Sequence, residues 1–355
     1  MNEDSLKVTI YFGERDRANG SFLADELIDM FGRHRFQTSV LLRGAEGFGA
    51  KQRLQTQRLL SLSEDLPVVA VAVDTRERIQ AAVPEATELI GDGLATLERA
   101  RLLSGRDLGA AGAYAPDPEE TAKLTVYCRR GDPVLELIDL LQRRGVAGAT
   151  ALLGVDGTSH GERRRARFFG ANREVPLMVI SVGRRERIAA ALPEVGRLLP
   201  RPLATLERVR VCKRDGELLA TPREVPSRDT AGLGVWQKLM VYTSEQARHE
   251  GHPLHVALIR RLREEGAAGA TALRGFWGYH GDHAPHGDRL LSLRRHVPVV
   301  TVVVDRPERT GRWFELVDEL TEHTGLVTSE IVPAFRATGP GLVDGGLELA
   351  ERLGP

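Results

Sequence analysis

Three short segments of this 355-residue chain share one pattern, a lysine followed four positions later by a tyrosine. The segments cover residues 7–11, 123–127 and 238–242, so successive copies begin 116 and 115 positions apart. Lysine is scarce, because arginine supplies 44 of the 49 basic residues, and three of only five lysines stand at this one position. A period this long exceeds that of a solenoid repeat and predicts three tandem domains.

The same series of motifs follows each segment. A Gly-x-x-Gly motif begins at Gly44, Gly154 and Gly275; a proline between aliphatic residues follows at Pro67, Pro176 and Pro298; a glutamate follows at Glu98, Glu207 and Glu330. Repeats 1 and 3 keep one offset of 231 positions from Lys7 through Glu77, whereas repeat 2 lacks six residues after its first strand. We therefore predict repeats at 1–103, 123–212 (degenerate) and 238–335. Linkers at 104–122 and 213–237 and a tail at 336–355, with at most a short helix over 347–353, complete the chain.

Within each repeat the hydrophobic pattern predicts the order βαββαβ. In repeat 1, Leu6, Val8 and Ile10 alternate with polar residues, as in a half-buried strand. Leu23, Leu27 and Met30 then follow at helical spacing. This order predicts an α+β, ferredoxin-like domain with both helices on one face of the sheet. Three such copies can turn their open faces inward around a common axis, which predicts a single-chain pseudo-trimer.

Composition excludes several classes of protein. Acidic and basic residues balance at 49 each, which argues against a nucleic-acid partner. The longest apolar runs have the length of strands and fall short of a ~20-residue membrane span, so no membrane insertion is expected. Two cysteines, Cys128 and Cys212, are too few for a disulfide framework, and strand geometry keeps them apart. We expect a soluble cytoplasmic protein.

Three stretches of repeat 1 resemble a known family. They are residues 6–16, 42–49 and 66–74, and repeat 3 carries matching stretches at 269–275 and 297–305. They are similar to the DUF190 family of PII-like proteins, over roughly residues 6–102, 123–212 and 238–333. The resemblance implies a trimer fused into one polypeptide. It also implies small ligands, often adenine nucleotides, bound in clefts between domains, and a mobile loop between strands two and three that reports occupancy to a partner.

The loop after strand two is the main candidate for ligand binding. Glycine allows the backbone to approach a phosphate closely, and nearby cations would balance its charge. The candidate residues are Gly44, Gly47, Phe48, Gly49, Lys51 and Arg53 in repeat 1, with Arg274, Gly275 and Gly278 in repeat 3. The alternative is an ordinary strand connection with glycines at its turns. Because repeat 2 continues from Gly157 with Thr-Ser and repeat 3 from Gly278 with Tyr-His, the three clefts would differ.

The repeated lysines need partners if they are buried. Strand four runs antiparallel beside strand one in this fold and carries one repeated glutamate. We therefore predict charge pairs within a module or across an interface: Lys7–Glu98, Lys123–Glu207 and Lys238–Glu330. The alternative is that these lysines remain in water or bind the phosphates of a ligand.

Histidines concentrate in repeat 3, where His280, His283 and His286 lie in the strand two–three loop. Imidazoles at this spacing are candidate metal ligands, although a surface loop does not fix a coordination geometry. No catalytic constellation recurs in the three repeats. We therefore expect a non-catalytic signalling protein without a tightly bound cofactor. It would bind a small anionic ligand, with an adenine nucleotide favoured, and contact a membrane transporter or another regulated protein through its loops. The alternatives are a metal- or ion-linked regulator and a ligand-free interaction scaffold.

Overall fold

The computed structural model describes residues 5–49, 54–56, 65–110, 120–165, 174–280, 286–287, 297–322, 324–339 and 343–349. Each of the three repeats forms a module of four main strands and two helices. Module 1 has strands Ser5–Gly13, Thr38–Arg43, Pro67–Thr75 and Asp92–Ser104, with helices Leu23–Arg33 and Arg76–Leu89. Module 2 has strands Thr121–Arg129, Gly148–Ser159, Pro176–Arg184 and Leu203–Arg208, with helices Val134–Arg143 and Arg185–Leu198. Module 3 has strands Trp236–Ser244, Ala270–Arg274, Pro298–Asp305 and Leu326–Val332, with helices Leu254–Glu264 and Pro307–Leu320.

The prediction of three repeats with mixed helix and strand content is confirmed. In every module the strands lie in the order four–one–three–two, and each neighbouring pair is antiparallel. Strand one is central in each module, and in module 1 all but one of its residues are buried. None of the described helices has the length and apolar composition needed to cross a membrane.

The modules do not keep separate sheets. The four strands of module 1 and the four of module 2 join at both edges, so these eight strands close into a barrel. The sheet of module 3 has eight strands, because strands from module 2 and module 1 extend it at opposite edges. This continuity depends on pairing between segments that are distant in the sequence, and the hydrophobic pattern of each repeat does not predict it.

The chain after strand two crosses from each module to another. In module 1, the strand Glu46–Phe48 pairs with strand two of module 3. In module 2, residues 154–159 pair with strand two of module 1. In module 3, the strand Trp277–His280 pairs with strand two of module 2. We call these three segments the strand-two extensions, and together they link the modules in a closed cycle.

Strand four continues in the opposite sense around the same cycle. The end of strand four in module 1, at 101–104, pairs with strand four of module 2. The strand Arg210–Arg214 then pairs with strand four of module 3. The strand Ala334–Thr338 closes the cycle by pairing with strand four of module 1. Every module therefore shares backbone hydrogen bonds with both others.

Four hydrophobic cores result from this arrangement. Each module has its own core between sheet and helices, and each of these includes side chains of other modules. Phe335 enters the core of module 1, Leu103 that of module 2, and Phe48 that of module 3. The fourth core lies between the sheets and takes residues from all three modules, for example Val71, Ile180 and Val302.

Shorter elements lie in the predicted linkers and tail. A helix at Gly105–Ala110 begins the first linker, and its Leu108 is buried in the core of module 2. The second linker contributes strand Glu217–Leu218, and the tail forms a hairpin between Ala334–Thr338 and Val343–Gly345. The tail thus contributes strands, where only a short helix was expected; residues 347–349 are not helical, and 350–355 lie outside the described residues. The remaining short strands are Leu54–Thr56, Glu162–Arg163 and His286–Gly287, and the hairpins Arg17–Ala18/Ser21–Phe22 and Arg248–His249/His252–Pro253.

Candidate functional site

Six charged side chains meet where the three modules join. Each lysine of the repeated motif contacts the glutamate of its own module: Lys7–Glu98 at 2.5 Å, Lys123–Glu207 at 2.8 Å and Lys238–Glu330 at 3.1 Å. Each lysine also contacts the glutamate of another module: Lys7–Glu207 at 2.6 Å, Lys123–Glu330 at 2.6 Å and Lys238–Glu98 at 2.8 Å. The six contacts form a closed cycle in which lysines and glutamates alternate. We call the six residues the Lys–Glu ring.

Strand register explains the pairs within each module. Strand one and strand four are antiparallel, and the repeated lysine lies directly opposite the repeated glutamate: Lys7 opposite Glu98, Lys123 opposite Glu207 and Lys238 opposite Glu330. Opposite residues on neighbouring antiparallel strands project from the same face, about 5 Å apart. The contacts between modules require the cyclic packing and could not be predicted from register. They bring each ammonium group between two carboxylates.

The ring is almost completely withdrawn from water. Its least buried member, Lys7, has 5% of its surface exposed. Burial by itself raises the pKa of a carboxyl group, but Lys238, Lys7 and Lys123 outweigh this effect and hold the pKa of Glu98 well below its usual value. The pKa of Glu207 is also lowered, by Lys123 and Lys7 against the effect of burial. Both glutamates are therefore ionised near neutral pH, and the ring as a whole contains three basic and three acidic side chains.

Hydroxyl groups surround part of the ring. Thr96 donates a 2.8 Å hydrogen bond to Glu98, and Thr205 donates one of 3.0 Å to Glu207. On strand one, module 3 departs from the symmetry: Met240 replaces the threonines Thr9 and Thr125 of modules 1 and 2, and its Sδ lies 4.0 Å from the Lys123 nitrogen. Of the repeated tyrosines nearby, Tyr127 and Tyr242 are buried and Tyr11 is partly buried, and the loss of solvent raises the pKa of all three. They remain neutral across the physiological pH range.

The three glutamate carboxylates also lie close enough together to be considered as ligands of one metal ion. One carboxylate oxygen from each of Glu98, Glu207 and Glu330 lies within 4.8 Å of the others, and no second group of three such ligands occurs among the described residues. The lysine ammonium groups, however, already lie between these carboxylates. Because the ring is neutral without an additional ion, its donor set does not fit a divalent cation.

The predicted glycines lie where a strand-two extension crosses another module. A Cβ atom added to Gly47 would come 2.7 Å from the backbone oxygen of Ala270 in module 3. The space is smaller at its counterparts. An added Cβ atom would lie 2.2 Å from the Ser39 backbone oxygen at Gly157 and 2.3 Å from the Ala149 backbone oxygen at Gly278. Gly44 and Gly275 similarly face Pro67 and Pro298, at 2.6 and 2.8 Å. Close approach between two protein backbones therefore accounts for these glycines, and their contact with a ligand stays a prediction.

The other candidates of the strand-two loop occupy different environments. The Phe48 side chain is 2% exposed and belongs to the core of module 3. Gly49 is exposed, and a Cβ atom there would meet no atom of the described residues within 4 Å. Arg274 pairs with Glu245 at 2.7 Å, as Arg43 pairs with Glu14 in module 1. Lys51 and Arg53 lie outside the described residues.

The histidine candidates are only partly described. His280 ends a strand-two extension, and its Nδ1 lies 3.7 Å from a carboxylate oxygen of Asp215. His286 has a described backbone that pairs with Gly278, and His283 lies outside the described residues. The histidine metal site stays a prediction.

One ion-pair cluster at a module junction was not predicted. Arg163 of module 2 contacts Asp25 at 2.5 Å and Asp29 at 2.7 Å, both on the first helix of module 1. It also contacts Asp156 of its own module at 2.6 Å. We call these four residues the Arg163 clasp. The sequence shows an arginine-rich loop and an acidic helix, but nothing in it indicates that they meet.

These features define a class: a three-module α/β protein whose modules exchange strands and share a buried ring of charge. The sequence profile of the DUF190 family, described as "Uncharacterized ACR", matches residues 5–102, 123–211 and 236–334. The chain belongs to the DUF190 family, with three copies of its domain. The resemblance drawn from the sequence is thereby confirmed.

Curated relatives correspond to single modules. A "UPF0166 protein" of Aquifex aeolicus is 35% identical over 94 residues, which cover 26% of this chain and 88% of the relative. One of Methanocaldococcus jannaschii is 28% identical over 89 residues, covering 25% of this chain and 82% of the relative. Among solved structures, an aspartate kinase from Synechocystis aligns with a TM-score of 0.22 at 11% identity, covering 95% of this chain and 45% of that chain. That similarity is too weak to carry an argument.

Proposed function

We propose that this chain is a non-catalytic regulatory protein, a single-chain counterpart of a PII-like trimer of ferredoxin-like modules. It would bind a small anionic ligand at a module junction, with adenine nucleotides as the first class to test. Three features support the trimer-like arrangement: the common strand order, the two cyclic sets of strand pairings, and the closed Lys–Glu ring. A relative about one module long is what we expect if the chain arose by fusion of three single-module copies.

The observation that carries the proposal is the strand-two extension. Strand two of each module continues onto another module and leads directly into the loop between strands two and three. A ligand held at that point contacts two modules at once. Its binding energy would therefore alter both the loop and the junction, which is the coupling that a sensor requires.

In this proposal the Lys–Glu ring has a structural role and does not bind the ligand. Its six residues are at most 5% exposed, and each lysine contacts two of the glutamates. A substrate would have no access to these groups, and breaking one pair would leave a buried charge without a partner. The ring thus holds the modules together while the peripheral junctions remain available for a ligand.

Thermal unfolding of the full chain with a ligand panel tests the proposal. The panel contains ATP, ADP, AMP, cyclic nucleotides and divalent metal salts, with sodium sulfate at equal ionic strength as a control. A ligand at 100 times its dissociation constant should add ~2.7 kcal/mol to the free energy of unfolding. A shift with a metal salt alone would favour the metal-linked alternative. If no compound raised the unfolding temperature, the remaining interpretation would be an interaction scaffold that binds no small ligand.

A double substitution tests the predicted loop. Changing Lys51 and Arg53 to alanine should weaken binding of the active nucleotide more than tenfold, equivalent to ~1.4 kcal/mol or more, because two cations near phosphate are lost. Arg197→Ala is the matched control, since Arg197 is exposed on the second helix of module 2. Unchanged affinity in the double variant would show that the loop is not the site.

A further inference from the structure

The three module junctions carry different charges at equivalent positions. Each strand-two extension contacts the first helix of the module that it enters. The helix of module 1 has Asp25 and Asp29 where the helix of module 3 has Val256 and Arg260. Over its full length the first helix of module 1 carries three acidic residues and one basic residue, whereas that of module 3 carries three basic residues and one acidic residue.

The junction between modules 1 and 2 is closed from within. The Arg163 guanidinium group contacts three carboxylates, and Arg165 adds a contact of 3.3 Å to Asp25. Asp156 is almost fully buried and also accepts a hydrogen bond from the Gly157 backbone nitrogen at 2.8 Å. Arg163 and Arg165 are therefore engaged by protein carboxylates, and an added anion would meet an acidic helix surface.

The junction between modules 2 and 3 is largely apolar. Trp277 stands at the position of Asp156 and packs against the core of module 2. The first helix of module 2 presents Leu135, which is 45% exposed, at the position of Asp25. It keeps an acid, Asp139, at the position of Asp29. The helix therefore offers no cation at either of these two positions.

The junction between modules 3 and 1 has the opposite character. Arg260 is exposed at the position that Asp29 occupies in module 1, and it forms no ion pair with the described residues. The strand Glu46–Phe48 crosses this same helix, and the open position Gly49 follows it. Lys51 and Arg53 come next in the sequence. Glu46 keeps a buried acid at the position of Asp156, but the helix surface here presents a cation that has no ion pair among the described residues, next to the exposed backbone that leads into the predicted loop.

Building on the proposed anion-binding function, we propose that the three junctions have diverged and that one alone binds the anion. Arg260 contacts the ligand at the junction of modules 3 and 1, while the Arg163 clasp takes the place of a ligand at the junction of modules 1 and 2. The molecule therefore binds one phosphate-bearing ligand per chain. The physical basis is the sign of the Coulomb interaction, which reverses between an acidic and a basic helix.

Isothermal titration of the full chain tests this assignment, with ATP and inorganic triphosphate as probes. We expect one equivalent of ATP per chain and at least tenfold weaker binding by Arg260→Ala, with Arg197→Ala unchanged. Binding of triphosphate as tight as that of ATP would assign the site to phosphate alone, and tighter binding of ATP would add recognition of the nucleoside. Either result supports the site if Arg260→Ala weakens it.

A second variant tests the clasp directly. Asp25→Val with Asp29→Arg gives the first helix of module 1 the residues found in module 3, and it should create a second binding equivalent. Thermal unfolding confirms that each variant is folded. Three equivalents in the unmodified chain, unchanged affinity in Arg260→Ala, or a folded helix variant with no second equivalent would overturn the inference while leaving the proposed function intact. An unmodified chain that binds neither probe would overturn both.

Discussion

The ammonium nitrogen of Lys7 in module 1 lies 2.6 Å from a carboxylate oxygen of Glu207 in module 2. These residues are 200 positions apart in sequence, and both are buried. A contact of this kind stabilises only the assembled state, because in a separate module the same lysine would keep one partner instead of two. The Lys–Glu ring therefore links the stability of each module to the presence of the other two.

Glu207→Gln should lower the free energy of unfolding by roughly 3–5 kcal/mol, because Lys7 and Lys123 each lose one of their two carboxylates. Urea unfolding at pH 7 measures the change. Glu174→Gln is the control: Glu174 pairs with Arg129 on the surface, with 56% of its side chain exposed, and its loss should cost below about 1 kcal/mol. Equal effects of the two substitutions would contradict the structural role of the ring.

Removing a charge of each sign should be less damaging than removing one alone. Lys7→Met together with Glu207→Gln eliminates one directly contacting pair and leaves Lys123–Glu330 and Lys238–Glu98 in place. The double variant should recover part of the stability lost in Glu207→Gln, since the ring is again neutral. A double variant less stable than either single variant, measured in the same urea titration, would argue against charge balance as the cause.

Acid should destabilise the chain through the ring. The pKa values of Glu98 and Glu207 are lowered in the folded state from an ordinary value of 4.5, so the unfolded chain binds protons more readily. The stability that these groups contribute is thus present above about pH 4.5 and is lost as the pH falls through their folded-state pKa values. Urea unfolding at pH 7, 5, 4 and 3 should show this loss. Glu207→Gln should show a shallower dependence, because it removes one titrating group; an identical slope would exclude Glu207 as a source.

The sequence predicted the local pairs of the ring but not its closure. The alternating pattern of strand one and the expected strand order place Lys7 beside Glu98, because register within a module depends on nearby segments. The contact from Lys7 to Glu207 depends on how whole modules pack, and no periodicity encodes this packing. The same limit applies to the Arg163 clasp and to the barrel, since both join segments more than 100 positions apart.

The glycine motif illustrates a different limit. A Gly-x-x-Gly sequence indicates that something approaches the backbone closely, but it does not say what. In this structure the approaching group is another strand, as the contact from Gly157 to the Ser39 backbone oxygen shows. The motif marks the position but is compatible with two interpretations, a phosphate-binding loop and an ordinary strand connection. Only the three-dimensional arrangement supplies the neighbour.

Alanine substitutions in this motif should separate packing from ligand binding. Gly157→Ala would place a methyl group 2.2 Å from a backbone oxygen, so the two strands must move apart at a cost of ~1–3 kcal/mol or more. The methyl group of Gly49→Ala would meet no atom of the described part of the chain within 4 Å, so the variant should stay within about 0.5 kcal/mol of the unmodified chain in stability. Thermal unfolding compares the two variants. Substantial destabilisation by Gly49→Ala would mean that its surroundings are closer than the structure indicates.

The two cysteines should report on how cooperatively the modules unfold. Cys128 belongs to the core of module 2, whereas Cys212 enters the core of module 3 although it follows strand four of module 2. Both thiols are buried, and neither forms a disulfide bond. Burial raises the pKa of Cys212 to about 12, and burial, together with Asp132, raises that of Cys128. A thiol reagent at pH 8 should therefore modify neither group in the native chain at an appreciable rate, because modification requires both exposure and ionisation.

Under weakly denaturing conditions each thiol reacts only when its core opens. If shared strands and the Lys–Glu ring make the modules unfold as one unit, both thiols should give the same free energy of opening, equal to that of global unfolding. The single variants Cys128→Ala and Cys212→Ala assign the two rates, and the fully unfolded chain supplies the reference rate for each. In Glu207→Gln both opening free energies should fall together, since Glu207 contacts lysines of modules 1 and 2. A Cys128 that opens at much lower free energy than Cys212 would instead show that module 2 unfolds independently of module 3.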